Sequence, residues 1–296
     1  MNMSVFNNLK QTYKSGSVPI RLIFVNVAIY LIFQALIIIM RLFNIEASGI
    51  INLFALPAVL PELVLKPWSL ITYMFLHQDF FHILFNMLTL YWFGKLFQMY
   101  FTDKQLVSLY FLGGISAGIT YILAYNLFPY FQDLKQISIL MGASGSILAI
   151  ILATAIQAPN LEMRLLLIGA VKLKYIAAAV VVMSFFGITS HNAGGDIAHL
   201  GGALFGYFFV VSLRNGRDIT RFFNRVMDFF IDLFKPRRLK VKHTQSQKRK
   251  MSDAEYNMHK ASTMTEIDRI LDKIKASGYG SLTDEEKRKL FEQSKK

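Results

Sequence analysis

The sequence predicts an all-α polytopic membrane protein, with six transmembrane helices in one bundle and a small soluble helical tail. Three observations carry this expectation. Of 296 residues, 54% are hydrophobic and only 17% charged, whereas soluble domains run at about 45–50% apolar and about 25% charged. The apolar residues gather into six runs of roughly 20, the length of helix that crosses a hydrocarbon core of about 30 Å. The charge gathers elsewhere: residues 214–296 hold 21 of the 32 Lys and Arg and 12 of the 19 Asp and Glu, in a chain of net charge +13. This composition excludes a disordered chain, a collagen-like fibre and a lone soluble domain. There is no Cys, which also excludes a disulfide framework, an iron–sulfur centre, a Cys-based zinc site and a thiol nucleophile.

Residues 1–19 read as a cytoplasmic N-terminal segment and 20–213 as the membrane domain. The first span, 21–40, is longer than the apolar core of a cleaved signal, and RLFNIEASG after it offers no small-residue cleavage site. The others fall at 80–101, 105–128, 139–158, within 165–187, and at 194–213. Lys172 and Lys174 would be costly at mid-membrane, so the fifth span is expected to start near Tyr175 after an inner loop. With the N-terminus inside, inner segments hold Lys10, Lys14, Arg21, Lys95, Lys104, Arg164, Lys172 and Lys174, and outer ones only Arg41, Lys66 and Lys135. That bias places both termini in the cytoplasm. The connection 43–79 is too oily for a solvated linker, and Pro57, Pro61 and Pro67 break any single spanning helix. It is expected to lie in the membrane interface with Trp68 and Tyr73 as anchors. Glycines recur in the later spans: Gly113, Gly114 and Gly118, then Gly142 and Gly145, then Gly201, Gly202 and Gly206. Small residues at helical spacing let helices approach closely.

The exceptions to the oil point to chemistry. His77 stands at the entrance of the second span, and His82 and Asn86, four residues apart, share one face of it. Ser144 and Ser146 open the fourth span, and His199 lies about a turn into the sixth. His82, Asn86, Ser144 and His199 thus fall at similar depth on the outer side, from three helices. A serine hydroxyl becomes a nucleophile when a neighbouring base takes its proton, and neutral His is the usual base. The flanking glycines leave Ser144 open to a substrate backbone. A serine in a first helical turn also has its own N–H among the donors that the helix leaves free. Asn86 and His82 are further candidate donors to an oxyanion, each such donor being worth on the order of 3–4 kcal/mol.

HxxxN in the second span, GASG in the fourth and AHLGG with its following GxxxG in the sixth resemble the rhomboid family of intramembrane serine proteases, in order and spacing, over about residues 20–213. The resemblance implies Ser144 as nucleophile and His199 as general base in a dyad. It implies an oxyanion site formed by the Ser144 backbone N–H with His82 and Asn86. It also puts His77 near the site without being the base, and Gly142 and Gly145 near the site as well. It further implies substrates that are themselves membrane-spanning proteins, with no metal, ATP or other cofactor. Two positions depart from the family pattern: Ser69 follows Trp68 where Arg is frequent, and Leu148 stands where an aromatic often stacks on the catalytic His. Leu148 is expected to support His199 by packing only.

Each of these residues also has a plainer reading. A Ser between glycines, or a single His or Asn in a span, commonly serves helix packing. Asp196, three residues before His199, invites a Ser-His-Asp triad but reads more simply as the cap of the sixth span. His191 reads as solvated and Ser146 as a packing residue. An intramembrane zinc protease lacks HExxH and a carboxylate at ligand spacing from His82. An aspartic one lacks two membrane aspartates. A transporter would show internal repeats and broken helices around a midplane site.

In the tail, Arg214, Arg217, Arg221 and Arg225 interleave with Phe222, Phe223, Val226, Phe229, Phe230 and Phe234, which predicts an amphipathic helix along the inner membrane surface. Residues 214–262 are this basic segment and a polar linker from 236. Residues 263–296 read as a helical hairpin, with Thr283 and Glu286 as a capping box. This hairpin resembles a small module that follows the membrane domain in some bacterial rhomboid-like proteins. The expectation is a bacterial, multi-pass inner-membrane serine endopeptidase that contacts the lipid bilayer and binds no nucleic acid. Its tail would meet the inner surface or a cytoplasmic partner. The alternative is a catalytically inactive rhomboid-like protein that binds or chaperones membrane proteins.

Overall fold

The computed structural model describes residues 5–165, 168–234 and 252–294, and the chain divides into two compact units, 1–235 and 236–296. The first unit opens with α1 (Val5–Ser15) and α2 (Val18–Leu42). Pro19 sits in the first turn of α2, where a missing N–H costs nothing. Only Pro19, Leu22 and Asn26 of α2 are buried. Asn26 Nδ2 donates to Leu22 O (2.9 Å) and to the Tyr110 hydroxyl (3.0 Å).

The connection to the next long helix is a folded platform of short pieces: α3 (Ser48–Phe54), β1 (Leu56–Pro57), α4 (Leu60–Leu65), α5 (Ser69–Thr72) and a 3-10 turn, Tyr73–Phe75. Trp68 Nε1 donates to Leu53 O (2.8 Å) and Thr72 Oγ1 to Phe54 O (2.7 Å), which ties its two ends together. Trp68 is exposed, as an interfacial anchor would be, but Tyr73 is not an anchor. It is fully buried, and its hydroxyl donates to Gly114 O at 2.6 Å.

The bundle continues with α6 (Phe80–Gln98) and α7 (Asp103–Leu127), the latter opened by a Thr102–Gln105 capping box. β2 (Ile139–Leu140) pairs antiparallel with β1, Leu140 opposite Leu56. α8 (Ser144–Gln157) therefore starts later than 139, because Ile139 and Leu140 are engaged by β1 and Gly142 takes φ +125°. Residues expected as an inner loop instead form an antiparallel ribbon, β3 (Glu162–Leu165) with β4 (Gly169–Lys172). α9 (Leu173–Phe186) follows with a 3-10 turn, Gly187–Thr189, and then α10 (Ala193–Arg214) and α11 (Arg221–Phe234).

Among the described residues four helices, α2, α6, α7 and α10, are long and apolar enough to cross a membrane by length and composition, whereas α8 and α9 are shorter. Fourteen residues give α8 a rise of only about 21 Å. Ten of the 14 are buried, so its non-helical ends meet protein rather than lipid, the condition for irregular backbone at membrane depth. Gly142 N–H, for instance, donates to Tyr73 O at 2.9 Å. A Cβ on Gly202 would collide with the Gly145 carbonyl, one on Gly206 with the Ala149 carbonyl, and one on Gly113 with the Ala149 side chain. The glycines thus bring α7, α8 and α10 into backbone-scale contact.

α11 docks on α7 through Lys104 Nζ–Asp228 (2.7 Å), Ser108 Oγ–Asn224 Oδ1 (2.7 Å) and the rings of Phe111 and Phe223. Phe222, Phe229 and Phe230 remain exposed. Arg214 and Arg217 precede this helix: Arg214 ends α10 and its guanidinium donates to Ile156 O at 2.7 Å.

The second unit is α12 (Asp253–Ser277), a 3-10 turn Tyr279–Ser281, and α13 (Asp284–Ser294). α12 begins ten residues before the expected 263, because Ser252 and Glu255 form a capping box there. Residues 236–251 of the expected linker lie outside the described residues. Thr283 and Glu286 exchange the hydrogen bonds of a capping box.

Candidate functional site

Three helices bring their N-terminal turns to one place. Asp79 caps α6 by accepting the His82 N–H at 2.9 Å, which fixes the turn from which His82 and, one turn on, Asn86 project. Ser144 is the first residue of α8, so its N–H is among the donors that the helix does not use. His199 lies in the second turn of α10. His82, Asn86, Ser144 and His199 line one cavity of roughly 540 Å³, with Phe81, Phe85, Leu148 and Val180 also on its walls.

Gly142 is what lets this cluster close. Its φ of +125° is a backbone state that side chains rarely adopt. A Cβ there would sit 2.8 Å from His82 Nε2 and 3.8 Å from Ser144 Oγ. Gly145 is needed for a different reason: a Cβ would press on the Ala117 side chain at 2.5 Å. Asn86 is buried, and its Nδ2 has no hydrogen-bond partner among the described residues. An amide donor so placed is costly unless something else occupies it.

His77 lies behind this wall rather than on it. Its ring stands edge-on to His82 at 5.2 Å between centroids, and it faces a second, smaller cavity with Tyr30, Gln34 and Arg41. Burial, with His82 as the next cause, pushes its imidazole down to about 4, so it is uncharged at neutral pH. Among the described residues, no three His, Asp or Glu are grouped as a metal would require.

His199 Nδ1 is 3.1 Å from Ser184 Oγ and 3.8 Å from Asp196 Oδ1. Asp196 is not the cap expected of it, since Asn192 holds that position and Asp196 lies in the first turn of α10. Leu148, one turn after Ser144, is buried at the cavity wall. Ser69, the first residue of α5, is fully buried, and its N–H donates to Lys66 O. Ser146 packs against Gly114, and His191 is exposed. Four further buried polar residues of the helices stand outside the site that the sequence predicts: Asn26, Ser108, Thr154 and Ser184. For Ser184 a signal existed, because it is the only Ser or Thr in α9.

The fold and the site together define a polytopic helical membrane protein with a polar cavity at the N-terminal turns of three helices. The rhomboid domain matches residues 65–216, and the chain belongs to the rhomboid family. RHOMBOID-like protein 12, mitochondrial, of Arabidopsis thaliana is 27% identical over 158 residues, covering 50% of this chain and 47% of that protein. The match therefore spans less than half the length of this relative. Residues 251–296 match a family of unknown function, DUF6576.

Proposed function

We propose that the protein is an intramembrane serine endopeptidase that cleaves membrane-spanning proteins with a Ser144–His199 dyad. Ser144 Oγ attacks the scissile carbonyl carbon and its proton passes to His199 Nε2. The carbonyl oxygen, now an anion, accepts hydrogen bonds from the Ser144 N–H, His82 and Asn86. The C–N bond then breaks as His199 returns the proton to the departing amine, leaving an acyl-enzyme on Ser144. Water attacks that ester with His199 again as base, and the serine is released. The observation that carries this reading is Asn86 Nδ2, a buried donor with no protein partner among the described residues, on the same cavity as a serine at a helix N-terminus. Donors aimed in advance at developing charge are the main device of acyl-transfer sites.

The basic residues near the span ends support a multi-pass inner-membrane protein with cytoplasmic termini and the site toward the outer face. The exposed Phe222, Phe229 and Phe230 beside Arg221 and Arg225 support α11 as the part of the tail that meets the inner leaflet.

The test is cleavage of a generic single-span substrate in detergent by the protein, Ser144→Ala and His199→Ala. Only the unaltered protein should cut, and a fluorophosphonate probe should label it and not Ser144→Ala. Equal cutting by all three sinks the dyad. Stable substrate capture without cutting or labelling favours the inactive binding protein.

A further inference from the structure

Ser184 is 3% exposed in the last turn of α9. A buried serine in an apolar helix ordinarily turns its hydroxyl to the carbonyl one turn back. Here Oγ instead stands 3.1 Å from Nδ1 of a histidine on another helix. Behind it the carboxylate of Asp196 comes within 3.8 Å of the same nitrogen. That carboxylate lies directly against Gly187, where a Cβ would collide with Asp196 Oδ2. Ser190 Oγ donates to the same oxygen at 3.2 Å. The end of α9 and the turn after it therefore gather around Nδ1 of His199.

We propose that Ser184 is a positioning residue for His199: its Oγ accepts the Nδ1–H, which holds the tautomer whose Nε2 lone pair is free for the Ser144 proton, while Asp196 steadies the imidazolium. This rests on the Ser144–His199 reading above. The proton from Ser144 goes to Nε2 and leaves from Nε2, the Nδ1 proton stays in place, and neither Ser184 nor Asp196 changes protonation. A ring free to flip would spend part of its time with Nδ1 toward Ser144 or with Nε2 protonated, so the cost falls on turnover and not on substrate binding.

The experiment measures kcat and KM for a transmembrane substrate with full-length protein in proteoliposomes. Ser184→Ala should lower kcat about tenfold or more with KM unchanged, the effect of removing one hydrogen bond to a charged group. Ser184→Thr, which keeps the hydroxyl, should recover most of it, and Asp196→Asn should lose about fivefold, as for a charge not in direct contact. Should Ser184→Ala fail to fold, Ser184→Cys, of similar shape and weaker as an acceptor, must show the same loss of kcat. Unchanged kcat in a folded Ser184→Ala or Ser184→Cys protein overturns the proposal, and so does a Ser184→Thr no better than Ala. If the unaltered protein neither cuts nor takes the fluorophosphonate at Ser144, the dyad itself has failed. If it does both and Ser184→Ala matches it, only the positioning role has.

Discussion

The α8–α10 seam and the α12–α13 hairpin are both pairs of packed helices, held together by opposite means. At the seam the contact is made by missing atoms: Gly202 lies on Gly145 and Gly206 on Ala149, backbone against backbone. In the hairpin it is made by charge: Lys273 pairs with Glu286 at 3.0 Å and Lys289 with Glu266 at 2.8 Å, and among the described residues of the hairpin only Ile270 and Leu282 are buried apolar side chains. The difference follows from the solvent. Lipid gives apolar helices no hydrophobic reason to associate, so close fit must supply the attraction. Charge pairs on a water-exposed helix are weak and forgiving. The seam is therefore the place where one methyl group matters, and Ser144 and His199 sit at its end, next to Gly145 and one turn before Gly202.

The largest effect should come from adding that methyl. Gly202→Ala drives a Cβ into the Gly145 carbonyl, and backbone cannot turn aside as a side chain can. Overpacking of this kind costs about 3 kcal/mol. It should also displace Ser144, the neighbour of Gly145, and abolish cleavage. Gly49→Ala in α3, where a Cβ has open space around it, is the control and should leave both stability and cleavage unchanged. Equal unfolding midpoints for the two variants in a detergent titration would break the contrast between seam and surface.

A second effect separates fit from chemistry within the bundle. Asn86→Ala removes a buried donor that has no partner among the described residues, so no hydrogen bond of Nδ2 is lost and a desolvation cost is spared, which offsets the lost packing. Cleavage should fall about 100-fold, close to 3 kcal/mol of transition-state stabilisation, while the unfolding midpoint stays level or rises. A fall in both would make Asn86 a packing residue, which is the bland reading of it.

Much of this was legible in the sequence, because spans are read from length and the site from polar residues that hydrocarbon would not tolerate. His82 and Asn86 at i and i+4, and Ser144 between glycines, needed no coordinates to be noticed. What stayed hidden depended on partners far along the chain. Tyr73 has the amphipathic look of an interfacial anchor, and only the Gly114 carbonyl, 41 residues on, explains its burial. The late start of α8 depends on Leu56 and Pro57 pairing with Leu140 and Ile139, strands too short to show a period. Ser184 faces His199 rather than its own helix, a choice of rotamer that composition does not encode. Asp196 falls within a turn of the cap position, but that its carboxylate lies against Gly187 and 3.8 Å from His199 Nδ1 depends on the fold around it.

The smallest effect belongs to the hairpin and sharpens the comparison from the other side. The Thr283 backbone N–H (2.7 Å), then the Lys273 ammonium (3.0 Å), hold the Glu286 carboxyl down to about 2 from its ordinary 4.5. Because the folded value lies below the free one, this stabilisation is complete above about pH 4.5 and drains away as pH falls toward 2. Amide exchange over residues 253–294 of the full chain should accordingly rise as acid is added in that window, beyond the intrinsic pH dependence of exchange. In Glu286→Gln the additional rise should be gone, and the hairpin should already be slightly looser at neutral pH. The α8–α10 seam has no such carboxylate between its helices among the described residues, so the packing of Gly202 on Gly145 should show no matching transition. If the seam and the hairpin loosened together in acid, the division between a contact built on shape and one built on charge would not hold.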